Sequence, residues 1–383
     1  MSDRKDVNVE LDASSWTSNG KTVPTELTKL SAKGPKKMSV LIALLHTAIC
    51  TRPPTSRGIC LADYWAWLRY GPAIDDSPGL RLRAEWDDID PHQKTILSDD
   101  FGMGFTTYLL SRVLKFKSFA DTIHFVNVTN KGRYRFDQKN KKNGAFKSPD
   151  FVALDSAADP NNINVVECKG TQSSRKDVRK AVGDGIPQKK NLVSAGSSKI
   201  NHSLVAGLFI PPKKSKEEAL IYLSDPPQEE LSEVFARIAP ERMQTGVVQI
   251  DLAKHFALMG LHSIADALAS TDTSAAAHLR DVDMQEISAL TLSPDKRELT
   301  FEVSFLLPRG TTHVGSQPVS RARFAMSCPL ELYDRVAGTE DLEGTLGSLV
   351  ETAGEREWHE DSDETKAALT TPLGFTLSLA YLP

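Results

Sequence analysis

The sequence predicts an α/β fold: a small mixed central sheet flanked by helices, with a helical addition on the N-terminal side and a β-rich addition on the C-terminal side. Three observations predict it. Short apolar runs with alternating or β-branched character (Thr122–Val128, Phe151–Leu154, Asn164–Glu167, Leu204–Ile210, Ala219–Leu223) cluster in the middle of the chain. Segments with helical spacing stand before and among them, which is how a layered α/β unit reads. The last ninety residues carry three further strand-like runs, Leu299–Leu307, Arg321–Ser327 and Gly374–Leu382.

Taken in order, residues 1–37 are polar, carry no apolar signal core, and read as a flexible N-terminal arm. Residues 38–95 form a helical N-terminal region. Within it Met38–Ile49 is apolar nearly all round, so it reads as a buried helix, and Cys60–Tyr70 is aromatic-rich. Residues 96–225 hold the central unit. Ser98, Asp99 and Asp100 look like a helix N-cap, and Phe101–Lys115 continues with apolar residues at helical spacing. Asn130–Lys147, rich in Lys, Asn and Gly, reads as a hairpin or loop. Ser173–Ala195 has polar, basic helical spacing that Gly183, Gly185 and Pro187 break in two. Residues 226–290 read as a helical region and linker, and 291–383 as the β-rich region.

Composition excludes several classes. The 383 residues are 40% hydrophobic and 25% charged, ordinary for a globular protein. No apolar run approaches the ~18 residues of a membrane span, and a cytoplasmic location without membrane partners is expected. The four cysteines (Cys50, Cys60, Cys168, Cys328) show no zinc-ligand spacing and read as buried thiols. His255 and His262, seven residues apart, have no supporting carboxylates and read as structural. The net charge of −4 hides an asymmetry: Arg112–Lys199 holds 18 Lys and Arg against 8 Asp and Glu. A basic segment inside an acidic chain suits a polyanion, although a merely solvated basic surface has the same composition.

Chemistry concentrates at Ser148-Pro149-Asp150, which leads into one strand, and Glu167-Cys168-Lys169, which ends the next. Two carboxylates converging from neighbouring strands repel, and they hold together best around a hard divalent cation such as Mg²⁺ or Mn²⁺. Strand alternation puts Glu167 and Lys169 on one face and Cys168 on the other, leaving the Cys168 carbonyl as a further oxygen. Glu-x-Lys alone is weak evidence, since about one copy arises by chance in a chain of this length. The chain carries its own controls. Glu364-Thr365-Lys366 sits in an acidic, helix-like run with no strand before it, and Ser293-Pro294-Asp295 has no Glu-x-Lys on the next strand. The bland alternative is a surface Glu–Lys pair with Asp150 as a turn residue.

The order αβββαβ, with Pro-Asp before one strand and Glu-x-Lys ending the next, resembles the PD-(D/E)XK, or restriction-endonuclease-like, nuclease superfamily over roughly Ser98–Leu223. The resemblance implies a metal-dependent endonuclease that hydrolyses DNA phosphodiester bonds with Mg²⁺ (or Mn²⁺), such as the effector nuclease of a bacterial anti-phage defence system. An exonuclease or junction resolvase shares the motif. A non-catalytic nucleic-acid-binding assembly subunit is the reading from a different class. Asp150 and Glu167 would be metal ligands and Lys169 the catalytic lysine. Asp99 or Asp100, between which spacing does not choose, would complete the metal site from the preceding helix. Gln188 matches a glutamine placed after the lysine in many members, with Gln172 as the alternative. Lys139, Lys141, Lys142 and Lys147 before the Asp150 strand, and Arg175, Lys176, Arg179, Lys180, Lys189 and Lys190 after Lys169, would rim the cleft and bind DNA phosphates. No P-loop occurs, so an ATP-driven step calls for a separate ATPase or sensor protein. Two-strand cleavage calls for a homodimer or hetero-complex.

Overall fold

The fold was analysed in a computed structural model that describes residues 3–18, 20–55, 70–129, 148–155, 162–189, 199–225, 240–270, 290–295, 297–307, 312–314 and 317–383. The chain starts with β1 (Arg4–Leu11), followed by α1 (Ala13–Ser18), α2 (Thr25–Ala32) and β2 (Lys36–Ser39). The stretch expected to be a flexible arm is therefore ordered structure. The alternation of Val7 and Val9 with polar neighbours gives β1 one buried side, which the arm-like composition concealed. α3 (Val40–Thr51) is buried on nearly every residue, as its all-round apolarity requires, and Ser39 caps it by accepting the Ile42 amide.

The central unit begins with α4 (Pro91–Val113). It starts earlier than expected, at Pro91 and not near Phe101, because Asp90 is the cap, accepting the His92 amide at 2.8 Å, and Pro91 occupies the first turn. Ser98, Asp99 and Asp100 are consequently mid-helix and cap nothing. The first strand of the unit, β3 (Ser118–Asp121), lies just before the stretch predicted to be one, and Thr122–Thr129 is instead α5. Its β-branched residues suit a strand locally, but Phe125, Val126, Val128 and Thr129 fall on one helical face that the core buries. Then come β4 (Phe151–Leu154), β5 (Asn162–Thr171), α6 (Arg175–Lys189), β6 (Lys199–Phe209) and β7 (Leu220–Ser224). α6 runs unbroken through Gly183, Gly185 and Pro187, contrary to the predicted break.

These strands form one seven-stranded mixed sheet in the order β2-β1-β7-β6-β5-β4-β3. β3, β4 and β5 are antiparallel neighbours, α6 crosses over so that β6 runs parallel to β5, and β1 enters parallel to β7. α4 and α6 both pack on β5 and β6, and α3 packs on α4. The buried thiols of Cys50 and Cys168 belong to the core, as expected, and so does Cys328. Cys60 and the rest of the aromatic-rich stretch before Tyr70, like Lys139, fall outside the described residues.

α7 (Pro240–Leu258) and α8 (His262–Ala269) follow, α7 lying against β3, α5 and the strands beside them. The C-terminal part is β-rich as predicted: β8 (Thr291–Leu292), β9 (Glu298–Leu306), the β10 (His313–Val314) and β11 (Gln317–Pro318) hairpin, β12 (Arg321–Pro329), α9 (Leu330–Ala337), α10 (Leu342–Glu355), β13 (His359–Ser362), β14 (Lys366–Thr370) and β15 (Thr376–Leu382). Six of these strands make an antiparallel sheet, β13-β14-β15-β12-β9-β8, that packs on α3. One continuous apolar core runs from Val7 to Tyr381 through both sheets. No described helix is long and apolar enough to cross a membrane.

Candidate active site

The β4–β5 register pairs Phe151 with Val166, which sets Asp150, one residue before β4, opposite Glu167. Alternation then puts Glu167 and Lys169 on the same face of β5, and Cys168 on the other, 7% exposed and packed in the core. Asp150 Oδ2 accepts the Cys168 amide at 2.7 Å, which fixes the Asp150 carboxylate against the strand that bears Glu167. Lys169 Nζ is in ion contact with Glu167 Oε1. Glu167 is fully buried, and the close partners of its carboxylate are the Lys169 ammonium and the Asp150 backbone amide.

α4 approaches β5 closely because two positions lack a side chain. A Cβ on Gly102 would lie 2.6 Å from the Lys169 carbonyl oxygen, and one on Gly170 would collide with the Ser98 carbonyl. That contact places the two aspartates differently. Asp99 accepts the Gly170 amide and lies within electrostatic reach of Lys169 and Asp150. Asp100 points the other way and accepts the Tyr70 hydroxyl at 2.6 Å. From the opposite face, α6 brings Gly185 over the site: a Cβ there would stand 3.2 Å from Glu167 Cγ and 3.3 Å from Lys169 Cε.

The electrostatics follow from crowding. Burial pushes the Glu167 carboxyl up, Asp150 pushes it further, and Lys169 pulls it back only in part. Burial likewise raises Asp150, with the Cys168 amide and Lys169 opposing and Asp99 and Asp121 adding to the rise. Asp99 is raised by burial against the pull of Lys169. The Lys169 ammonium, although burial disfavours its charge, is held above its ordinary value by Glu167. Carboxylates in this condition gain from a cation, and Asp150, Glu167 and the Cys168 carbonyl supply hard oxygens suited to Mg²⁺ or Mn²⁺. Among the described residues no group of three or more His, Cys, Asp or Glu side chains is arranged to hold a metal ion, so any such site leans on main-chain oxygen and solvent as well.

Other expected residues are placed differently. Gln172 donates to the Lys94 carbonyl and to Ser98 Oγ, both at 2.9 Å, and so staples β5 to α4. The α6 backbone includes Gln188 and Lys189, but their side chains lie outside the described residues, as do Lys190, Lys141, Lys142 and Lys147. Arg175 and Arg179 do not rim the cleft as free cations. Both pair with Glu10 on β1, and Arg179 also lies over the Tyr222 ring at 5.7 Å, so they tie α6 to the β1–β7 side of the sheet. Lys176 and Lys180 are exposed on α6. His255 is fully buried, its Nδ1 2.7 Å from the Asp251 carbonyl, which agrees with a structural role.

Sequence reasoning missed Asp121 and Lys254. Asp121 ends β3 beside the Asp150 strand, and Lys254 reaches it from α7 at 2.8 Å. The available signal was a charged residue, Lys254, in the largely apolar stretch Leu252–Leu258. No protein-family model matches the chain, and neither does any curated protein or solved structure.

Proposed function

We propose that this chain is a metal-dependent nuclease of the PD-(D/E)XK type, a DNA endonuclease in which α4, β3, β4, β5, α6 and β6 make up the αβββαβ core. The observation that carries the proposal is the buried, crowded pair Asp150–Glu167, brought together across β4 and β5 with Lys169 on the same face. Two buried carboxylates facing each other, with one lysine ammonium beside them, cost folding free energy unless something else recruits them, and a divalent cation is the partner that chemistry of this kind recruits.

Asp150 and Glu167 would hold the cation together with the Cys168 carbonyl, and Asp99 would stand on the α4 side. The cation would supply a water of lowered pKa and neutralise charge on the scissile phosphate. Lys169, two residues beyond Glu167 on the same strand face, would place its ammonium beside the attacking oxygen and the charge building on phosphorus. Asp99 would keep that ammonium from settling permanently on Glu167. Among the described side chains of α6, Lys176 and Lys180 are left for substrate contacts, since Arg175 and Arg179 are engaged by Glu10.

Cleavage of supercoiled, linear and single-stranded DNA with Mg²⁺, comparing wild type with Lys169→Ala, tests this directly. A drop of ~10²–10⁴-fold is expected. Glu364→Ala alters the second Glu-x-Lys, whose Glu364 lies in the turn after β13 and whose Lys366 opens β14, where the sequence suggested a helix-like run with no strand before it; it should leave the rate intact. Equal cleavage by wild type and Lys169→Ala would sink the assignment.

A further inference from the structure

Among the described residues two lysine side chains, those of Lys117 and Lys254, are fully buried, and both serve the same short strand. Lys117 lies at the start of β3, where its Nζ donates to the Arg356 carbonyl at 2.7 Å and pairs with Glu357 at 2.8 Å. Lys254 lies on α7 and works at the other end of β3. Its Nζ pairs with Asp121 Oδ2 at 2.8 Å, approaches the Phe119 carbonyl at 3.5 Å and stands over the Phe151 ring at 5.1 Å.

The second set of contacts surrounds Asp150. Phe151 is the next residue in the chain and is the cross-strand partner of Asp121. The amide after Asp121, that of Thr122, donates to the Asp150 carbonyl at 3.1 Å. β3 and β4 are four residues each, and β3 ends the sheet. A short terminal pair frays readily, and an apolar side chain at 254 would fill the same space without the cost of burying an ammonium. An ammonium there does something an apolar group does not: it fastens the residue that pairs with Phe151, and Phe151 itself, from behind.

We propose that Lys254 is a positioning residue of the active site, contributed by α7 from outside the αβββαβ unit, which holds the β3–β4 end so that the Asp150 carboxylate faces Glu167. The proposal rests on the metal-dependent nuclease reading, and it makes that core depend on the helical region after it.

Lys254→Met and Lys117→Met provide the test, because each removes one buried ammonium from one end of β3. Both should lower the melting temperature. Isothermal titration with Mn²⁺, at a temperature where near-UV circular dichroism shows each protein folded, should separate them: at least tenfold weaker binding for Lys254→Met, and a change within twofold for Lys117→Met. Plasmid cleavage at saturating Mn²⁺ should fall at least tenfold for Lys254→Met only. Mn²⁺ binding by Lys254→Met within twofold of wild type would overturn the proposal, and so would equal weakening in both variants, which is general loosening. Should a Met variant not fold, Lys254→Gln and Lys117→Gln, which keep a donor, carry the same comparison. A wild-type protein that binds no Mn²⁺ would instead remove the metal reading itself, and this proposal with it.

Discussion

The two ends of β5 and β6 carry acidic clusters of opposite condition. At the far end from Asp150, Asp225 is fully buried yet saturated: it accepts the Ser203 amide at 3.1 Å and faces His202 at 3.3 Å and Lys21 at 3.4 Å. Beside it Asp155 accepts the side-chain amides of Asn164 and Asn201, both at 3.1 Å. Burial alone would raise Asp225, but His202, Lys21 and the Ser203 amide outweigh it and hold the carboxyl below its ordinary value. At the other end Asp150 and Glu167 are raised, with Lys169 the cation between them. The same strands thus support one acidic cluster that the fold completes and another that it leaves short of donors. The first needs nothing further, and the second is where a ligand has something to contribute.

Amide substitutions should therefore act in opposite directions at the two ends. Glu167→Gln is expected to reduce DNA cleavage by ~10²–10⁴-fold while leaving stability unchanged or higher, since it removes a buried charge repelled by Asp150. Asp225→Asn should leave cleavage nearly unchanged and lower stability by about 1.5–3 kcal/mol, the range for hydrogen bonds to a charged group. Urea unfolding of both variants beside a plasmid assay measures the contrast. Two destabilised proteins would erase the distinction between the clusters.

The pH dependence sharpens the same contrast. Asp225 has a folded pKa below its unfolded one, so its contribution is present above the unfolded value and is lost as pH falls through the folded value. Glu167 has a folded pKa above its unfolded one, so ionising it costs stability, and its effect improves as pH falls through the raised value. Melting temperatures against pH should show Asp225→Asn losing its deficit in acid, and Glu167→Gln losing its advantage. Mn²⁺ at a hundredfold excess over its Kd should add ~2.7 kcal/mol at neutral pH to wild type, and far less to Glu167→Gln.

Much of the site end was legible in the sequence, and the reason is local. Glu167 to Lys169 is a short stretch whose strand alternation puts both side chains on one face, and Asp150 joins them through the antiparallel register of the neighbouring strand, Phe151 against Val166. Asp99 and Asp100 were not separable, because the choice depends on how Gly102 and Gly170 let α4 meet β5, a contact about seventy residues apart in the chain. Arg175 and Arg179 looked like phosphate contacts because their partner Glu10 lies on a strand that the polar N-terminal composition disguised. The strand expected over Thr122–Val128 is a helix because tertiary burial overrides β propensity there. Asp121 and Lys254 needed the packing of α7 on β3, which no local pattern encodes.

The smallest expected effect separates geometry from stability within one helix turn. Gly183 and Gly185 both lie inside the unbroken α6, and both should cost the helix roughly 0.5–1 kcal/mol relative to alanine. Gly183 is exposed, with nothing within 4 Å of where a Cβ would stand, so Gly183→Ala should return that stability and leave cleavage alone. Gly185 is buried, and its Cβ would stand 2.9 Å from Val205 Cγ1 as well as against Glu167 and Lys169. For Gly185→Ala the helix gain is offset by crowding, so stability should move by less than about 1 kcal/mol. Lys169, displaced by a few tenths of an ångström, should lose about tenfold in cleavage. Equal cleavage by the two alanine variants would mean that α6 does not set the position of Lys169, leaving the Glu167 contact and the strand alone to do so.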